Sequence, residues 1–195
     1  IVGFYKLTKT DGLGTDDIID AVHQGKLLPI LLLPAIFFGT ILTHLCGGSA
    51  GREGAALQMG GTVGQCMGRV FHLDDKDLRV ATLAGMAAFF SALFGTPLAA
   101  AVFAMEVVSV GEMYYAAFFP CLFSAFSAFL VTGAMGLSAD AYQVVSVPDI
   151  SAVSVLQVVL LGIGCALVAR LFCAALRMAR LVGVVAEDDL IGILA

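Results

Sequence analysis

Two ionisable side chains, Arg52 and Glu53, stand side by side in the glycine-rich run Gly47–Gly61, between stretches apolar enough to lie in a membrane. Carrying charge at that depth costs a few kcal/mol or more, so such residues mark substrate or proton paths. The glycines let the backbone leave the helix and offer bare N–H groups to an anion. A helix beginning near Glu53 aims its unpaired N–H groups and its positive dipole end at the Gly48–Gly51 loop. An anion there gains charge-assisted hydrogen bonds of about 1.5–3 kcal/mol each. A carboxylate at the same place can occupy the anion's position, and once protonated it loses that attraction and can swing aside. One side chain then competes with the anion and carries the proton, which couples the two movements. Arg52 is either the compensating charge or part of a wet vestibule. The plainer alternative for Glu53 is a capping carboxylate in the first helical turn.

Such a site needs helices that stop and start within the membrane, and the sequence supplies them. Gly12-Leu13-Gly14-Thr15-Asp16-Asp17 combines turn signals with an acidic cap, which predicts a short helix from about Asp16 to Gln24 with Ile18, Ile19 and Val22 on one face. A span follows at Leu28 to Leu45, where Pro34 predicts a kink. After the glycine break, a helix from about Glu53 to Phe71 carries Ala56, Gly60, Gly64 and Gly68 on one face, so another backbone can approach closely. His72 to Arg79 reads as a charged loop. Val80 to Val108 is too long for one straight helix, and Phe94-Gly95-Thr96-Pro97 divides it into two short or tilted halves, as where discontinuous helices build a midplane site. Met113 to Met135 is an aromatic-rich span. A polar connection from Leu137 to Asp149 leads to a last span at about Ser151 to Leu171. Arg170, Arg177 and Arg180 beyond it suggest a cytoplasmic flank.

Composition agrees with a polytopic membrane chain. Hydrophobic residues make up 60% and charged residues 13%, against roughly 45–50% and 25% in soluble domains. Acids cluster at Asp11–Asp20, Asp74–Asp77 and Glu187–Asp189, read as solvated loops and ends. No basic block points to nucleic acid or anionic lipid. The five cysteines lack metal-ligand spacing and read as small buried hydrophobes. No signal peptide is visible, the chain begins at Ile1, and both ends look cut from something longer.

Gly51-Arg52-Glu53-Gly54 followed by Leu57-Gln58-Met59-Gly60-Gly61 resembles the glycine-rich gate segment of CLC chloride channels and anion/proton exchangers. Phe94-Gly95-Thr96-Pro97-Leu98-Ala99, then Val102-Phe103-Ala104-Met105-Glu106, is similar to a second segment of that family, about 40 residues on. The resemblance runs from roughly Gly12 to Met135, and the phrases THLCGGSAGREG, FGTPLAAAVFAMEV and AFFPCL look most like the fluoride/proton antiporter branch. It implies an all-α, polytopic inverted-repeat fold within one transmembrane domain. Residues 1–136 correspond to the first repeat, and 137–195 to the connection and the start of the second. It also implies that Glu53 is the gating glutamate and proton carrier, and that Gly51, Arg52, Gly54, Ala55 and Leu13 line the anion path. The implied partners are fluoride or chloride ions, protons, the lipid bilayer of the cell (inner or plasma) membrane and a second copy as homodimer, with no cofactor, metal or nucleic acid.

This chain departs from the family pattern at three places. Ala55 stands where the family has a proline, Val107 where chloride/proton exchangers have an internal proton-transfer glutamate, and Leu13 where the filter loop has a serine. The fluoride branch typically lacks the last two. No second filter segment follows Asp149, and Tyr142 is a poor candidate for a central tyrosine.

Three classes of function remain at this point: fluoride export against protons, passive chloride conduction or chloride/proton exchange, and a membrane enzyme with Glu53 and His44 as acid and base. The enzyme needs a second catalytic group near the break, and transport does not. His44 reads as a hydrogen-bonded interhelical histidine, His23 and His72 as solvated, and Glu106 as an internal partner or vestibule carboxylate. The phenylalanines from Phe118 to Phe129 read as lipid- or dimer-facing. Gly48–Gly54 lacks the G-K-[ST] ending of a phosphate loop.

Overall fold

Glycine and proline set several of the helix boundaries in this protein, at Gly14, Gly25, Gly51, Gly95 and Pro97. The computed structural model describes residues 14–48, 51–108, 111, 113–137, 149 and 151–194, and among these every regular element is a helix. Residues 1–141 and 142–195 form two compact units.

In the first unit, α1 (Thr15–Gln24) runs from Gly14 to the left-handed Gly25 (φ 70°). Its cap is not the acid expected at its start. The Asp17 carboxylate reaches back to accept the Gly14 N–H at 2.8 Å and also pairs with Lys26. Ile18, Ala21 and Val22 form its buried face, Ala21 taking the place expected of Ile19. An irregular link then leads to α2 (Leu32–Leu45), which starts four residues later than its apolar run. Pro34 therefore falls in the first turn, where its missing N–H costs nothing, and the expected kink has no cause.

α3 (Arg52–Val70) and α4 (Asp75–Phe94) form the closest helix pair. A Cβ at Gly64 would lie 2.1 Å from the Ala81 carbonyl oxygen, and one at Gly85 would lie 2.1 Å from that of Gly60. The two backbones therefore touch, as the small-residue stripe on α3 predicts, and Gly85 is its counterpart on α4. The stretch expected as a charged loop is shorter than His72–Arg79. Asp74 caps α4 by accepting the Asp77 N–H at 2.8 Å, which draws Asp75–Arg79 into the helix.

Gly95, left-handed at φ 67°, ends α4, and Pro97 opens α5 (Pro97–Glu106). Only α5 is a short half, because α4 with 20 residues is long enough to span. Phe90 stacks on Phe103 at 4.4 Å between the two. A 3-10 turn (Tyr115–Ala117) leads into α6 (Phe118–Ala134), whose buried Cys121 and Ala125 pack on α4. There the Ser91 hydroxyl donates to the Ala125 carbonyl at 2.7 Å.

The second unit carries α7 (Ala152–Leu194), 43 residues in one helix, so the acids at Glu187–Asp189 are helical rather than a loose end. Asp75–Phe94, Tyr115–Ala134 and Ala152–Ala179 are long and apolar enough to cross a membrane. Of the five cysteines only Cys121 is fully buried, because Cys46, Cys165 and Cys173 lie on faces left uncovered here.

Candidate functional site at two helix starts

The helix carrying Arg52 and Glu53 begins after Gly51, whose extended backbone (φ −68°, ψ 142°) turns the chain into α3 without any side-chain cap. The Glu53 carboxylate folds back over that glycine, and a Cβ on Gly51 would meet its Oε2 at 2.7 Å. Glu53 is exposed and makes no hydrogen bond or ion pair among the described residues. It accepts none of its own helix's N–H groups, so it is not serving as a capping carboxylate. It is instead a flexible carboxylate beside unpaired backbone donors. Gly54 and Ala55 are half-buried in the same turn.

A second helix start meets the first. Thr15, at the beginning of α1, accepts a hydrogen bond from the Gln58 side-chain amide of α3 at 3.2 Å. A Cβ at Gly54 would lie 3.2 Å from the Thr15 hydroxyl oxygen, so the glycine leaves room for α1 to dock. The positive ends of two helix dipoles, each with N–H groups lacking helical partners, therefore lie close together beside Glu53. Leu13, Ser49 and Ala50 fall outside the described residues, as does Tyr142.

Buried polar side chains of α3 fix the spacing of these two starts. Gln65 accepts the Leu28 N–H at 2.7 Å and donates to the Lys26 carbonyl at 2.9 Å. Arg69 donates to the Leu28 carbonyl at 2.9 Å. These bonds satisfy backbone groups of an irregular link around the buried Leu28, and they hold the end of α1 against α3. Neither Gln65 nor Thr15 stands out in the sequence. The one available signal is that a glutamine at position 65, among glycines on an otherwise packed helix, must find partners when buried.

Arg52 lines an apolar groove of about 750 Å³ with Ala55, Ala56, Phe37 and Phe89. His44 is exposed and bonds the Thr40 carbonyl of its own helix at 2.7 Å, rather than a neighbouring helix. His23 is exposed, as expected, and also donates from Nε2 to the Val108 carbonyl at 2.8 Å. Glu106 is exposed at the end of α5, and Val107 is the residue that caps it.

Apolar helices, one of them broken at glycine and proline, together with two helix starts meeting beside an unpaired carboxylate, are the architecture of a polytopic membrane protein. The family profile described as voltage gated chloride channel matches residues 1–182, and the chain belongs to that family. It is 39% identical over 175 residues to a chloride/fluoride channel protein of Pseudomonas syringae pv. tomato, covering 89% of this chain and 39% of that protein. It is 35% identical over 114 residues to the H(+)/Cl(-) exchange transporter ClcA of Cronobacter sakazakii, covering 54% of this chain and 24% of that one. The crystal structure of a CLC-type fluoride/proton antiporter superposes with a TM-score of 0.75 at 33% identity, over 83% of this chain and 42% of that one. The chain thus spans about two fifths of the length of its first relatives.

Proposed function

We propose that the full-length protein carrying this chain moves small anions across a membrane, exporting fluoride in exchange for protons, with Glu53 as gate and proton carrier. The observation that carries this reading is the unpaired Glu53 carboxylate folded over Gly51, where the starts of α1 and α3 offer backbone donors. Deprotonated, it competes with an anion for those donors; protonated, it is neutral and can donate a hydrogen bond to fluoride. The chloride/fluoride and fluoride/proton relatives support the choice of anion. Val107 offers no second carboxylate next to Glu106, so the proton route differs from one built on paired glutamates.

The same reading places the protein in the cell (inner or plasma) membrane, as a homodimer in which each chain has its own path. Glu53 acts there without enzymatic turnover. The test is fluoride efflux recorded together with pH from liposomes holding the full-length protein. Fluoride flux well above chloride flux is expected, with proton uptake abolished in Glu53→Gln. Anion flux without proton movement in the native protein would move the assignment to a passive channel. Equal coupling of chloride would make it the chloride/proton exchanger that the ClcA relatives exemplify.

A further inference from the structure

One face of α3 carries α1. Gly54, Gln58, Gly61 and Gln65 recur at helical spacing, which puts them on a single side of α3, and α1 lies along that side. At its far end Gln65 holds the Lys26 carbonyl and the Leu28 N–H. Midway, Ile18 presses on Gly61, where a Cβ would meet its Cγ2 at 2.9 Å. At the end beside Glu53, the Gln58 amide donates to Thr15 Oγ1 at 3.2 Å, and a Cβ on Gly54 would lie 3.2 Å from that same oxygen.

The other hydrogen bonds at the start of α1 stay within its own first turn. The Gly14 N–H goes to the Asp17 carboxylate at 2.8 Å, and the Asp17 N–H returns to the Gly14 carbonyl at 3.2 Å. They shape α1 without tying it to α3, and α3 opens with no side-chain cap. The gap between the two sets of backbone donors is therefore set where Thr15 meets Gln58 and Gly54. Ile18 and Gln65 would still seat the rest of α1 if the Gln58 bond were lost, so its loss would loosen the first turn alone.

An anion held by donors from two elements feels their separation. Charge-assisted hydrogen bonds are short and lose strength over a few tenths of an ångström, and fluoride and chloride differ in radius by a fraction of an ångström. We propose that Gln58 is a positioning residue: acting through Thr15, it sets the spacing of the two helix starts and so the preference for fluoride over larger halides. The proposal rests on the reading of Glu53 as an anion gate. Gln58 works by placing backbone donors rather than by touching the ion.

The test is the ratio of fluoride to chloride flux from liposomes holding the full-length protein. Both fluxes come from one preparation, so the amount of folded protein cancels from the ratio. Thr15→Val keeps the shape of the side chain and removes the hydroxyl, and Gln58→Met keeps its length and removes the amide. Each should lower the ratio several-fold, and the double variant should lower it no further, because both remove the same bond. Thr15→Ser, which restores the hydroxyl, should restore the ratio. An unchanged ratio in Thr15→Val or Gln58→Met, even with a lower melting temperature, makes the bond a structural tie only and overturns the proposal. So do additive effects in the double variant, or a Thr15→Ser protein as impaired as Thr15→Val. Glu53→Gln separates the two readings. Proton coupling lost there beside an unchanged ratio in Thr15→Val sinks the role of Gln58 alone, whereas a native protein that moves neither anion sinks both.

Discussion

Gly51 matters here for the space its missing side chain leaves to Glu53. Its φ of −68° is open to any residue, so Gly51→Ala brings no backbone strain, and stability should change by no more than about 0.5 kcal/mol. The added methyl would land 2.7 Å from Glu53 Oε2 and force the carboxylate off its resting place. Liposome flux assays should therefore show weakened coupling of anion to proton movement in a protein whose melting temperature is nearly native. Gln65 gives the opposite pattern. Gln65→Leu leaves the buried Leu28 N–H unpaired, at about 1–3 kcal/mol, and removes the part-buried bond to the Lys26 carbonyl, and thermal unfolding in detergent should show a clear loss. The difference between these two residues also sets what the sequence reveals. The charge of Glu53 among glycines is visible as a string of letters, because a titratable group at membrane depth is rare. Gln65 and Thr15 act on residues 37 and 43 positions away, and nothing local announces such partners.

Among the elements, the stripe Gly60–Gly64–Gly68 predicts a close helix neighbour, and α4 is that neighbour. The prediction works because a spacing of four residues fixes one face whatever packs on it. It cannot tell the glycines apart, and the structure can. At Gly64 the obstacle to a methyl is the Ala81 carbonyl oxygen, whereas at Gly68 it is a leucine side chain, Leu78, which can rotate. Gly64→Ala should lower stability by about 1–3 kcal/mol or more, and Gly68→Ala by under about 1 kcal/mol, both read from thermal unfolding. Helix starts were less legible than helix existence. Proline and aspartate each fit several positions, and tertiary bonds chose among them: Asp17 for α1, Asp74 for α4, and for α2 a start that absorbs Pro34.

In the whole molecule, one charged tie closes α1 onto the link that follows it, and its pH response has a definite sign. Lys26 beside Asp17 holds the Asp17 carboxyl below its ordinary 3.8, and Asp17 in turn raises Lys26 above its ordinary 10.5. A lowered carboxylate contributes stability that is present above 3.8 and is lost as pH falls through the folded value. A raised lysine contributes stability that is present below 10.5 and is lost as pH rises through its own folded value. The tie is therefore constant across neutral pH. Asp17→Asn should lower the melting temperature at pH 7 and flatten its further fall in acid, which a melting series from pH 3 to 7 would check. The direct backbone contact of α3 with α4 bears on how the molecule works. No layer of side chains lies between these helices at Gly60, Gly64 and Gly85 to slide or repack. The element carrying Glu53 is keyed to its neighbour like a bolt in a frame, so in the cycle proposed above the stroke would fall to the carboxylate's own few torsions.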